Sequence, residues 1–129
     1  MEYYYSKSLK GNFEEVIGMV KESLSKEGFG VLTEIDVRKT MKAKLDIDFR
    51  NYVILGACNP PSAYKALTAE DKIGVLLPCN VIVQEKEENI IEVATVDPLG
   101  SMQAVDNPGL GEVAVFVREK LIKAVDALV

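Results

Sequence analysis

Seven residues, Tyr52 to Cys58, constrain this chain more than any others. They read YVILGAC, with no charged position among them. Successive side chains of a strand point to opposite faces, so Tyr52, Ile54, Gly56 and Cys58 share one face and Val53, Leu55 and Ala57 the other. Both faces are apolar, and a strand of that kind is covered on both sides. A helix layer can supply one cover and a second subunit the other. On leaving the strand, Asn59-Pro60 reads as a helix start, with asparagine as N-cap and proline at the first helical position.

A second apolar segment, VLLPCNVIVQE, ends at Glu85. Proline is tolerated where a strand begins but not in its middle, so Pro78 places the paired part at Cys79 or Asn80 onward. Each strand thus carries a Cys-Asn pair, Cys58-Asn59 leaving the first and Cys79-Asn80 entering the second, and these are the two cysteines of the chain.

Around this pair the other elements read in order. Glu2 to Leu9 is a strand rich in tyrosine, closed by Gly11. Residues 12–27 form a helix: Asn12 caps it, Glu15 follows three residues on, and Phe13, Val16, Ile17, Val20 and Leu24 recur at helical spacing. Gly28 ends it at the C′ position. Val31 to Asp36 is a strand. In 37–49, Val37, Met41 and Leu45 predict a short amphipathic helix, with Arg38, Lys39, Lys42 and Lys44 on its polar face. That face reads as solvated surface; an anion-binding rim is the sharper alternative. Ile90 to Val96 pairs with the strand before it as a hairpin. A last helix from Asn107-Pro108 to about Leu128 carries Leu110, Val113, Val117, Leu121, Val125 and Leu128. Two long amphipathic helices with a sheet of about five strands imply a two-layer α+β fold.

A chain of 129 residues corresponds to a single domain, residues 1–129, and buries roughly two-thirds of its unfolded surface without disulfides or structural metal. Its net charge is −5, and its basic residues are interleaved with acids, so neither nucleic acid nor an anionic membrane is an expected partner. MEYYYSKSLKGNF has no signal-peptide pattern, and no run approaches the ~20 apolar residues of a membrane span. The expected location is cytoplasmic, where two cysteines are free thiols. With no histidine in the chain, triads, His-ligated haem and His-based metal sites are excluded.

ILGACNPPSAYKAL followed by IGVLLPCNVIVQE resembles the prokaryotic family catalogued as domain of unknown function 302, which carries an ACNP motif, a following helix and an LLPCNV motif. Gly28-Phe29, Glu34-Ile35-Asp36, Lys44-Leu45, and Asp97-Pro98 with Met102 extend the match over nearly the whole chain. The resemblance implies a TATA-binding-protein-like architecture, β-α-β-β-β-β-α with a curved, mainly antiparallel sheet, and a homodimer. It implies no activity, and no catalytic residue is carried over from it.

The residues that would make a site are Cys58, Asn59, Cys79, Asn80, Asp97 and Met102. One reading makes them a packing and turn device: two cysteines as core filler, Asn59 as cap, Asn80 tying a loop, Asp97 opening a turn. The other brings both thiols to one cleft at the strand ends, where Cys58 stands before a helix N-terminus whose free N–H groups favour a thiolate. Met102 would then be a third soft ligand, suited to Cu(I), whereas two thiols alone make a poor zinc site. Whether a metal or cofactor binds is not fixed by these residues. Tyr3, Tyr4, Tyr5, Tyr52 and Tyr64 are candidates for an aromatic cleft. The reading favoured is a homodimeric module that binds a small ligand or soft metal near the two Cys-Asn motifs, rather than an enzyme. The alternatives are a thiol-dependent enzyme or redox sensor using Cys58 and Cys79, and a purely structural or interaction protein.

Overall fold

A computed structural model describes residues 2–129. Its elements are β1 (Tyr4–Lys10), α1 (Phe13–Lys26), β2 (Gly30–Asp36), α2 (Val37–Leu45), β3 (Tyr52–Cys58), α3 (Pro60–Ala69), β4 (Cys79–Glu87), β5 (Ile90–Val96), α4 (Pro98–Ser101) and α5 (Gly111–Asp126). Two 3-10 turns, Asp71–Leu76 and Pro108–Leu110, precede β4 and α5.

The capping chemistry read from the sequence is present in atomic detail. The Asn12 side chain accepts from the Glu15 amide at 3.1 Å and starts α1. Gly28 follows the helix with φ of +86°, a conformation that costs other L-residues about 1–2 kcal/mol. Asp36 starts α2 by accepting from the Lys39 amide at 2.9 Å. Asn107 opens the segment leading to α5, accepting from the Gly109 amide at 2.9 Å. This last start takes a 3-10 turn before it becomes α-helical, so the long helix begins at Gly111 rather than at Pro108.

The five strands form one antiparallel sheet in the order β1-β5-β4-β3-β2. The β4–β5 hairpin turns at Glu88-Asn89, where the Asn89 amide donates to the Glu85 carboxylate at 2.9 Å. Helices α1 and α5 cover one face. Val53, Leu55 and Ala57 of β3, Val81 and Val83 of β4, and Ile91 and Val93 of β5 meet Val16, Val20, Leu24, Val117, Leu121 and Val125 there. This is the α+β, two-layer arrangement expected. A smaller apolar cluster of Ala66, Ile73 and Leu110 lies under α3 and the two 3-10 turns, with Leu77 and Met102 packed against it.

The stripe on α2 behaves differently from those on α1 and α5. The helix forms at its expected place, but none of its residues is buried and Leu45 is 61% exposed. Two of its basic residues are partnered locally: Arg38 donates to the Asn51 side chain at 2.9 Å, and Lys42 lies 2.9 Å from Asp46 and 3.5 Å from Asp48. Such exposed pairs are a solvated surface.

Candidate functional site

The C-terminal end of β3 and the N-terminal start of β4 lie side by side, with Ala57 opposite Cys79 and Gly56 opposite Asn80. At this end the sheet is roofed by α3, the 3-10 turn that follows it, and the segment from Pro98 to Leu110. Between roof and sheet is a cavity of about 360 Å³. Small-molecule sites fall in the range of about 300–1,000 Å³.

Four of the six residues singled out from the sequence, Cys58, Asn59, Cys79 and Met102, line this cavity. Cys58 leaves β3 at one wall and Cys79 enters β4 beside it. Met102 reaches the cavity from the turn after α4. Both thiols are free and half-buried.

Asn80 and Asp97 are placed elsewhere, for reasons visible in the backbone. Alternation along β4 turns Cys79 toward the helices and sends Asn80 to the opposite face, where it is exposed. Asp97 is buried just behind the cavity wall. One carboxylate oxygen accepts from the Leu99 amide at 3.0 Å and the other from Arg118 Nε at 2.9 Å. It thereby holds α4, whose Pro98, with Met102 just beyond it, is lining.

The Asn59 side chain is fully engaged in holding the roof. Its Oδ1 accepts from the Ser62 amide at 3.1 Å, and its Nδ2 donates to the Gly28 carbonyl at 3.0 Å, tying α3 to the end of α1. Gly28 is fitted closely to that side chain, because a Cβ there would lie 3.0 Å from Nδ2.

These bonds correct the expectation that α3 offers free donors to a Cys58 thiolate. Pro60 and Pro61 have no N–H, the Ser62 amide is taken by Asn59 Oδ1, and the Ala63 amide donates to the Asn59 carbonyl at 2.9 Å. No backbone N–H of this first turn is left free to donate to a thiolate. Burial, and secondarily the neighbouring Cys58, push the Cys79 thiol up to about 11, so Cys79 is a neutral thiol at neutral pH.

The rest of the lining is uncharged. Thr33, Asn59 and Ser62 contribute polar atoms at the side of β2 and α3; Met102, Leu110, Val113, Ala114 and Val117 make the far side apolar. No aspartate, glutamate, lysine or arginine borders the space, and no group of three or more histidine, cysteine, aspartate or glutamate residues able to hold a metal ion occurs among the described residues. Nor does any buried side-chain nitrogen or oxygen among the described residues lack a hydrogen-bond partner. Leu32 and Leu67 border the cavity while remaining 68% and 44% exposed, which places them at its mouth.

No tyrosine lines the cavity. Tyr5 is bonded to Asp126, Tyr3 packs edge-on against Tyr4, and Tyr64 is exposed. The lining residues that sequence reasoning passed over are mostly apolar ones counted as core. Leu110, Val113 and Val117 belong to the stripe of the last helix, and their spacing carries no mark of a space beside them. Leu32 is presented by a bulge in β2, where the register shifts between Val31 and Thr33.

The model of the family described as "Domain of unknown function DUF302" matches residues 5–128. A solved structure of an uncharacterized conserved protein DUF302 from Bacillus stearothermophilus is 29% identical, covers 98% of each chain and superposes with a TM-score of 0.89. Among curated proteins none matches. No helix among the described residues is long and apolar enough to cross a membrane.

Proposed function

Since the chain belongs to the family described as domain of unknown function DUF302, a description that carries no activity, we propose that the protein is a homodimeric module and, from the cavity itself, that it binds a small, uncharged, mainly apolar molecule. The observation that carries this reading is an apolar cavity of about 360 Å³ without one charged group on its wall. Binding there draws on apolar area removed from water, about 25 cal/mol per Å². A charged ligand would lose its hydration and gain no partner.

The same chemistry ranks the alternatives. A soft cation would have to displace the Cys79 proton, held up to about 11, with one further thiol and a thioether for company. A thiol nucleophile needs a depressed pKa or an adjacent base, and α3 supplies no free donor for the first. An organic ligand asks neither of the two thiols to ionise. Free thiols also fit a reducing cytoplasm as the place of work.

The test is titration with N-phenyl-1-naphthylamine, an uncharged apolar fluorophore, against wild type and Ala63→Phe. Ala63 lines the cavity from α3 and is half-buried, so a larger ring there fills the space from its edge. Wild type is expected to bind one fluorophore per chain with micromolar affinity, and Ala63→Phe to lose binding at least tenfold. Equal binding by both, or tight Cu(I) binding with no fluorophore uptake, overturns the reading.

A further inference from the structure

The long helices α1 and α5 cover one face of the sheet and leave the other to solvent and neighbouring side chains. Across the five strands, one row on that face runs Ser6, Ala94, Ile82, Ile54 and Ile35. Its three isoleucines are adjacent on β4, β3 and β2. Ile54 and Ile82 are half-buried and Ile35 is 48% exposed. An antiparallel sheet that meets water on one side normally alternates polar residues there, and this row breaks the pattern on its central strands.

We infer that this open face is the surface through which two copies of the chain associate. The inference deepens the homodimer of the preceding reading and rests on it for the existence of a dimer, not for the ligand. Area supports a second copy. Five strands about 4.8 Å apart, four of seven residues and β4 of nine, at about 3.3 Å per residue span at least about 550 Å². A specific interface needs about 1,000 Å² in total, or about 500 Å² a side.

Charge supports it too. The chain is acidic overall at −5. On this face, however, Glu92 of β5 is accompanied by two cations, Lys10 at the end of β1 and Arg50 just before β3. Arg50 Nε donates to Gln84 at 2.8 Å, and Gln84 donates to Glu92 at 2.8 Å. The Arg50 guanidinium also lies 4.6 Å from the Phe49 ring centre and 5.5 Å from that of Tyr52. The neighbouring row, Ser8, Glu92, Gln84 and Tyr52, thus joins a carboxylate and a cation through Gln84 and presents no block of like charge to a second face.

Edge-to-edge pairing is the less suited mode. The bulge at Leu32 interrupts β2, and the outer strand β1 carries Lys7 and Lys10; bulges and edge lysines both block strand addition. The same two-faced apolar character that marks β3 in the sequence is thereby explained: Val53, Leu55 and Ala57 for the helices, Ile54 and its row for the partner.

The experiment is sedimentation velocity of the full chain from about 1 to 100 µM, for wild type, Ile54→Lys, Ile54→Thr and Thr33→Pro. Wild type is expected to sediment as a dimer. Ile54→Lys should raise the dimer Kd at least about 30-fold, as loss of a central anchor does. Ile54→Thr keeps a β-branched residue and should raise it more modestly, with unchanged circular dichroism, so a folding failure of the lysine variant does not decide the matter. A monomeric wild type overturns the dimer altogether. A dimer that withstands both Ile54 substitutions, or that only Thr33→Pro dissociates, overturns the open face and leaves the dimer standing. Fluorophore binding at the cavity is scored separately in every variant.

Discussion

Replacement of Asp97 separates the two jobs its carboxylate does. Oδ1 caps α4 through the Leu99 amide, and Oδ2 pairs with Arg118. Losing a cap costs about 1 kcal/mol. A hydrogen bond to a charged group contributes about 1.5–3 kcal/mol when buried. Asp97 is 6% exposed, but the Arg118 side chain is 39% exposed, which moves the pair to the low end of that range. Asp97→Ala should therefore lower stability by about 2–3 kcal/mol. Asp97→Asn keeps an oxygen for Leu99 and loses the ion pair, so about 1.5 kcal/mol is expected. Urea unfolding at pH 7, followed by circular dichroism, reads both. In a chain of this size 1 kcal/mol moves the melting temperature by about 4 °C, which gives a second reading. A loss under about 0.5 kcal/mol for Asp97→Ala would refute the argument, and equal losses for the two variants would remove the cap from it.

The same reasoning extends to Asn59 and Cys79. Asn59→Asp retains the cap on α3 but not the bond to Gly28, while Asn59→Ala loses both; the expected costs are about 1 and 2 kcal/mol by urea unfolding, and an alanine variant as stable as wild type contradicts this. Cys79 bears on alkaline stability. Its folded pKa is raised from 9.0 to about 11, so the stability it contributes is full below pH 9 and is lost as pH rises through 11. Wild type should thus lose about 2 kcal/mol relative to Cys79→Ala between pH 9 and 11, at about 1.4 kcal/mol per pKa unit; parallel pH curves for the two proteins would exclude it. In Cys58→Ser, alkylation of the remaining thiol by iodoacetamide should be slow at pH 7.5 and accelerate only toward pH 11.

Local signals in the sequence proved sufficient for local structure. Asn12, Asn59 and Asn107 each announce a helix start, and each side chain makes the bond that its position implies. The stripes of α1 and α5 are buried as their spacing predicts because a sheet face lies under them. The same kind of stripe on α2 buries none of its residues, and periodicity alone does not distinguish the two cases. Strand order was not legible, because it depends on which distant segments pair. That order brings Cys58 and Cys79 to one cavity while strand alternation turns Asn80 away. The spent amides of α3 follow from Pro60 and Pro61 standing together, which is visible in the sequence but acquires its meaning only beside the Asn59 bonds.

The proposed binding function requires that an apolar molecule enter the space beside Met102. Methyl-¹³C methionine NMR offers the needed resolution, since Met19 packs in the main core and Met41 lies on α2, both away from the cavity lining. On titration with N-phenyl-1-naphthylamine, the Met102 methyl signal should shift and saturate while those of Met19 and Met41 hold. A stationary Met102 signal under conditions where the fluorophore binds, or a shift confined to Met41, would contradict the cavity as the binding site.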